Sequence, residues 1–139
     1  MKIKDSNIES LNISGDYKKP DANTNKEPAI DMDFLSDITG NDLAFRNELF
    51  VLFLDTAQSN ISKMEKSLLI DNGNDIWYAA SHSLKGASTS IGAFEMSKVL
   101  EYAQANSKED PKNKTKILDE AKVHFAKVAE FIKDEMAKA

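Results

Sequence analysis

Residues 76–91 read IWYAASHSLKGASTSI. The apolar residues of this stretch recur at the spacing of an α-helix, in which each residue advances by about 100°. Those that share one arc of about 80° and are predicted to face a core are Ile76, Ala80, Leu84, Ala87 and Ile91. His82 lies about 160° from the centre of that arc. The pattern therefore predicts a helix that buries one side and turns His82 to the solvent.

The residues beside His82 on this solvent side are unusual for a helix surface. Gly86 lies at i+4, although a glycine inside a helix costs about 1 kcal/mol relative to alanine. Packing gives no reason for a glycine on a side that faces water. We therefore interpret Gly86 as a position without a side chain that leaves room for the surface of another molecule. Lys85, one turn beyond His82, is placed to attract an anion toward the imidazole.

Upstream, the same periodicity predicts two helices. A short one covers about residues 32–38, with Asp31 or Asp33 as its N-cap and Gly40 at its end. A long one begins at Asn41 or Asp42. The residues of its core-facing stripe are Leu43, Phe50, Phe53, Leu54, Ala57, Ile61, Met64 and Leu68. The segment 71–74 (DNGN) ends it, and Asn74 or Asp75 is predicted to cap the helix that carries His82.

Downstream, Gly92 marks a break and two further helices follow. The fourth helix has its inward residues at Ala93, Met96, Leu100 and Ala103. The last begins at Asp110-Pro111, a cap followed by proline in the first helical position. Its inward residues are Leu118, Ala121, Phe125, Val128, Ile132 and Met136. No strand pattern competes over 30–139, so we expect an all-α fold, an antiparallel up-down four-helix bundle with an additional short N-terminal helix.

Two parts of the chain differ in composition. Residues 1–29 are polar and rich in turn-forming residues, and they are predicted to be a flexible tail. The apolar residues within this tail leave a short strand or docking segment open as an alternative: Ile3, Ile8, Leu11 and Ile13. Residues 30–139 are predicted to be one helical domain, a size that allows a single modest core.

Composition excludes several classes of function. The net charge of −5 argues against a nucleic-acid partner. No run approaches the ~20 apolar residues that a membrane span needs, so no membrane partner is expected. The absence of cysteine excludes disulfides and thiolate metal sites and fits a cytoplasmic protein. No glycine-rich phosphate loop is present, so an ATP-using enzyme is not expected.

The neighbours of His82 also narrow its chemistry. Lys85 and Gly86 stand where a second metal ligand would have to lie on the helix, which argues against a metal site. The other histidine, His124, is predicted at the flank of the last helix with no chemical neighbours, and we interpret it as incidental. An exposed imidazole is largely neutral near pH 7 and is a competent nucleophile without a helper base. Beside a lysine, it suits acceptance of a phosphoryl group.

The run 82–88 (HSLKGAS), continued by Ile91-Gly92-Ala93, resembles the signature of the histidine-containing phosphotransfer (HPt) domains of multistep phosphorelays. The resemblance covers about residues 30–137. It implies a four-helix bundle with an extra short helix, in which His82 accepts a phosphoryl group from the aspartate of a receiver domain and passes it to another receiver. It further implies a monomeric carrier without a cofactor, a bound metal or a catalytic site of its own, whose partners are response-regulator receiver domains and a hybrid sensor histidine kinase.

The resemblance assigns roles to further residues. Lys85 becomes the cation near the phosphate, Gly86 leaves room for the receiver, and Gln104 contacts or orients the imidazole from the next helix. Many HPt domains carry glutamate where Gln104 stands. The surface that contacts the partner is expected to contain Tyr78, Gly86, Thr89 and Lys108, with Lys108 as a second cation.

Two other functions remain open from the residues alone. The first is a helical docking module that binds a receiver or a sensor kinase without relaying phosphate. Its binding would survive the loss of His82. The second is a metal-dependent hydrolase, which the missing second ligand on the His82 helix disfavours.

Overall fold

The structure, a computed structural model, describes residues 28–138 and is all-helical over that range. The helices are α1 (Met32–Thr39), α2 (Leu43–Ser67), α3 (Asn74–Ser90), α4 (Phe94–Ala105) and α5 (Pro111–Ala137). The predicted all-α class is therefore confirmed. The predicted tail, residues 1–29, lies almost entirely outside the described residues. Among the described helices, none combines the length and the apolar content that a membrane crossing requires.

Aspartates begin α1, α2 and α5. Asp31, Asp42 and Asp110 each accept a hydrogen bond from the backbone N–H three residues further on, at 2.9–3.1 Å. These bonds satisfy N–H groups that the first turn of a helix leaves unpaired. Pro111 follows as the first residue of α5, where its missing N–H costs nothing. The sequence left Asp31 or Asp33 open for α1 and Asn41 or Asp42 open for α2, and the structure selects Asp31 and Asp42.

The start of α3 differs from the prediction. Gly73 is the N-cap and makes no side-chain capping bond, so the expected cap by Asn74 or Asp75 is wrong. The side chain of Asn74 instead accepts a hydrogen bond from Lys114 Nζ at 2.6 Å. A Cβ at Gly73 would collide with the backbone of Ser67, so the tight turn after α2 requires glycine at this position.

One apolar core joins the helices. Along the chain, α2 contacts α3, α3 contacts α4, α4 contacts α5, and α5 returns to contact α2, while α1 contacts α2. The largest fully buried apolar side chains are Trp77, Phe50, Ile30, Leu35, Met64 and Leu84. Burying each such side chain stabilises the fold by about 1.5–3 kcal/mol. The core therefore fixes the outward direction of the opposite side of α3.

Two residues predicted to face the core are exposed. Ile76 retains 41% and Leu43 retains 49% of its accessible surface. Each lies in the first turn of its helix, and angular position alone did not decide its burial. Trp77 is fully buried instead, and its Nε1 donates to the carbonyl oxygen of Ala103 at 2.7 Å.

The passage from α3 to α4 turns at Gly92, as predicted. Gly92 has φ +84°, a conformation that other residues rarely adopt. A Cβ there would approach the carbonyl oxygen of Asp31 to 3.0 Å. The carbonyl of Gly92 also accepts a hydrogen bond from the N–H of Asp31 at 2.9 Å. This turn therefore anchors the start of α1 beside the junction of α3 and α4.

Candidate functional site

His82 lies on the exposed side of α3, directly above the core. Its neighbours on the helix, Ser81 and Leu84, are fully buried. The hydroxyl of Ser81 donates to the carbonyl oxygen of Trp77 at 2.8 Å, so it is turned away from the imidazole. The helix thus presents the histidine to solvent while its other side anchors the backbone.

Tyr78, His82 and Gln104 meet at the surface between α3 and α4, and we call them the His82 group. Nδ1 of His82 lies 3.3 Å from Oε1 of Gln104. Nε2 of Gln104 donates to the hydroxyl oxygen of Tyr78 at 3.0 Å. The rings of Tyr78 and His82 are parallel within 1°, with centroids 6.3 Å apart. The structure therefore brings together Gln104 and His82, which the sequence linked only through a family resemblance.

Two hydrogen bonds between α3 and α4 flank the His82 group. On one side, Trp77 Nε1 donates to the carbonyl oxygen of Ala103, the residue before Gln104. On the other, the hydroxyls of Thr89 and Ser97 share a hydrogen bond of 2.7 Å. These two contacts fix the register of the helices, so they fix the distance between His82 and Gln104. Sequence reasoning missed the tyrosine hydroxyl and both flanking bonds because they depend on that register.

Lys85 and Gly86 border the imidazole on α3. Lys85 is half-buried, and it forms no ion pair with any described carboxylate. Gly86 is exposed, and a Cβ added there would meet no heavy atom within 4 Å. Packing within the described chain therefore does not require glycine at this position. The lysine charge and the bare backbone both remain available beside His82.

The remaining predicted surface residues differ in their contacts. Tyr78 is 47% exposed even though its hydroxyl accepts from Gln104. Thr89 is exposed, but its hydroxyl is occupied by the carbonyl oxygen of Lys85 and by Ser97. Lys108 is exposed in the turn after α4, and the hydrogen bonds given above for the His82 group do not include it.

His124 contradicts its prediction. It is buried, with 6% of its surface exposed, and its Nε2 lies 3.8 Å from a carboxylate oxygen of Glu120. The expectation of a flanking histidine without chemical neighbours is wrong because α5 packs against both α2 and α4 and so buries a broad side. Burial lowers its pKa and Lys127 lowers it further, whereas Glu120 and Glu95 oppose the shift. His124 is enclosed, so a phosphoryl donor does not reach it.

Lys114 is a second buried basic residue whose pKa is shifted. Burial lowers its pKa, and Glu109 opposes the shift. Its Nζ donates to Asn74 and lies 5.3 Å from the centre of the Trp77 ring. Such cation–π and hydrogen-bond contacts stabilise a buried ammonium group. Lys114 therefore ties the start of α5 to the start of α3.

Within residues 28–138, no three acidic or histidine side chains converge as the ligands of a metal ion do. Comparison of the chain with protein-family models, with curated proteins and with solved structures gave no match. The features of this surface that bear on function are the geometry of the His82 group and its two neighbours, Lys85 and Gly86.

Proposed function

We propose that this protein is an HPt domain, a phosphorelay intermediate that accepts a phosphoryl group on His82 from the aspartate of a receiver domain and passes it to another receiver. The observation that carries the proposal is the exposed imidazole of His82, whose Nδ1 lies 3.3 Å from the side-chain oxygen Oε1 of Gln104. Nε2 has no hydrogen-bond partner among the described residues. One ring nitrogen is thus engaged while the other is available to an incoming group.

The chemistry follows from this division of the two nitrogens. When Nδ1–H donates to Gln104, the lone pair resides on Nε2, which is the nucleophile. Nε2 forms a bond to phosphorus while the bond from phosphorus to the receiver's aspartate oxygen breaks, and the carboxylate leaves. The imidazole becomes cationic, and the carbonyl oxygen of Gln104 stabilises that charge. Lys85 attracts the phosphoryl oxygens. The reverse reaction delivers the group to a second receiver.

The proposal includes an antiparallel up-down four-helix bundle of α2–α5, with α1 as the extra helix. Contacts near both ends of the helices support this arrangement. Arg46, near the start of α2, pairs with Glu135, near the end of α5, at 3.6 Å. Glu65, near the end of α2, pairs with Lys122. The bonds from Trp77 to Ala103 and from Thr89 to Ser97 have the same reversed order in α3 and α4.

The proposed carrier is a cytoplasmic monomer without ATP-binding or autonomous catalytic machinery. The lack of cysteine agrees with a reducing compartment. Its partners are response-regulator receiver domains and a hybrid sensor histidine kinase. The partner supplies the remaining charge stabilisation, because the His82 group offers only a nucleophile, an acceptor and one nearby cation.

Transfer from radiolabelled, phosphorylated receiver domains tests the proposal. We expect the full chain to acquire label that is labile in acid and stable in base, as a phosphoramidate bond is. His82→Gln should abolish this labelling because it removes the nucleophile. Ser83→Ala is the matched control: it changes the next exposed residue and should leave labelling intact.

Two outcomes would contradict the proposal. Undiminished labelling of His82→Gln would place the phosphate elsewhere. Binding to a receiver that survives His82→Gln, with no label on the unmodified chain for any receiver of the source organism, would instead identify a non-relaying docking module. Thermal melting of each variant confirms that a loss of labelling is not a loss of fold.

A further inference from the structure

We infer that Tyr78 is a positioning residue for His82 and that it acts through the side-chain amide of Gln104. The expectation from sequence gave Tyr78 a place on the partner-binding surface. The hydrogen bonds within the His82 group assign it a different task. The expected effect of Tyr78 on the rate of phosphoryl transfer rests on the proposed function. Its expected effect on the tautomer of the His82 ring does not.

The two ends of the Gln104 side-chain amide differ in their hydrogen bonding. Its oxygen only accepts hydrogen bonds, and its nitrogen only donates them. Nε2 donates to the Tyr78 hydroxyl at 3.0 Å, so Oε1 is turned toward Nδ1 of His82. A carbonyl oxygen in that place favours the tautomer that carries its proton on Nδ1. The reversed amide would favour a proton on Nε2, where it would block the lone pair needed to attack phosphorus.

The contact between Gln104 and His82 is weak without a second anchor. At 3.3 Å, the distance from Nδ1 to Oε1 is long for a hydrogen bond, and the imidazole is exposed. A glutamine side chain also loses much rotamer freedom when it is held in one place. The hydroxyl of Tyr78 supplies the second anchor at the opposite end of the amide. Tyr78 is itself well placed because it lies one turn before His82 on the same helix, with the two rings parallel.

Tyr78→Phe tests the inference because it removes the hydroxyl and keeps the ring. The first measurement is the tautomer of His82, read from the ¹⁵N chemical shifts of its ring nitrogens at a pH where the ring is neutral. We expect the proton mainly on Nδ1 in the unmodified protein and a shift toward Nε2 in Tyr78→Phe. Ser83→Ala is the matched surface control and should leave the tautomer unchanged.

The second measurement is phosphorylation by phosphoramidate, a small donor that needs no docking surface. In that reaction Nε2 of His82 bonds to phosphorus, the bond from phosphorus to nitrogen of the donor breaks, and ammonia leaves. Loss of one exposed hydrogen bond predicts a rate about two- to tenfold lower in Tyr78→Phe. In the Gln104→Ala background, Tyr78→Phe should have no further effect, because the residue through which it acts is gone.

Each outcome separates the inference from its alternatives. An unchanged tautomer in Tyr78→Phe overturns it. So does a rate that falls with a receiver domain but not with phosphoramidate, because that result assigns Tyr78 to partner docking. Fully additive effects of Tyr78→Phe and Gln104→Ala also overturn it. If neither donor phosphorylates the unmodified chain, the proposed function fails, while the tautomer measurement still decides the role of Tyr78.

Discussion

His82 and His124 show how environment decides what a histidine can do. His82 is exposed, with an amide oxygen beside one nitrogen and open space beside Gly86. His124 is enclosed between helices, and its burial lowers its pKa. The angular position of His82 was enough to predict its exposure. The burial of His124 was not predictable, because it depends on how widely the neighbouring helices cover α5.

The role of Lys85 can be separated from stability by removing its charge. Lys85→Ala should slow phosphoryl transfer by about three- to tenfold at low ionic strength, because a cation beside the imidazole no longer attracts the anionic donor. The free energy of unfolding should change by no more than about 0.5 kcal/mol, as for most surface substitutions. Transfer rates at low and high salt, together with thermal melting, measure both effects.

Two variants check the interpretation of that result. Lys85→Arg keeps the charge and should retain most of the rate. Lys116→Ala removes an exposed lysine from α5 and should leave transfer unchanged. A large loss of stability in Lys85→Ala, with an unchanged rate per folded molecule, would show that the lysine stabilises α3 and does not attract a donor.

Helices α1, α2 and α5 begin at aspartates that the sequence offered as caps, whereas α3 begins at neither of its predicted caps, Asn74 and Asp75. Asp31, Asp42 and Asp110 act locally, so a few residues of sequence narrow each cap to one or two candidates. The start of α3 depends on the tight turn at Gly73, which is packed against the backbone of Ser67. That is a contact with the preceding helix. Rules for side-chain caps do not contain it. The exposure of Ile76 was missed for a different reason, because periodicity gives the angular position of a residue and not the cover that other helices provide.

Substitutions of Gly86 test whether this glycine lowers the stability of α3 and leaves room for a receiver domain to reach His82. Gly86→Ala should stabilise the protein by about 0.5–1 kcal/mol, because alanine is the better helix former and its Cβ meets nothing. Gly86→Leu should slow transfer from a receiver by about tenfold, equivalent to an obstruction of about 1.4 kcal/mol. Chemical denaturation measures the first effect and transfer kinetics the second.

Phosphoramidate provides the control for Gly86→Leu. A small donor should be slowed far less than a receiver domain, because the obstruction concerns a docking surface. If Gly86→Ala lowers stability, the open space beside Gly86 is occupied in solution. If Gly86→Leu reacts with receivers at the normal rate, the interpretation of glycine as clearance is wrong.

For the whole molecule, the order of the helices was predictable and their mutual rotation was not. Periodicity located the helices, and Gly92 located the passage between α3 and α4. The contact between His82 and Gln104 was predicted only from the resemblance to HPt domains. The hydrogen bond from Gln104 to Tyr78 required the register that the Trp77–Ala103 bond sets, and such tertiary contacts have no local signature in the sequence.

Global stability should depend on pH through His124. Its pKa is lowered in the folded state, so the unfolded chain binds the proton more readily. The two states do not differ at this group above pH ~6.5, where the unfolded imidazole is neutral. Below that value the free energy of unfolding should fall until the pH passes the folded pKa. Urea denaturation at a series of pH values measures this decline.

His124→Gln should flatten the decline of stability between pH ~6.5 and the folded pKa, because the substituted side chain does not titrate. His82→Gln is the matched control, since it removes the other histidine and should retain the decline. The same slope in His124→Gln as in the unmodified protein would show that other groups cause the pH dependence.

Trp77 gives the molecule an intrinsic optical reporter. It is the chain's single tryptophan, and it is fully buried. Its indole N–H donates a hydrogen bond to the backbone oxygen of Ala103 in α4, the residue before Gln104. Indole emission responds to solvent and to hydrogen bonding, so its fluorescence follows the alignment of α3 and α4 at the site itself. Unfolding, and any shift of these helices on phosphorylation, is therefore observable without an attached dye.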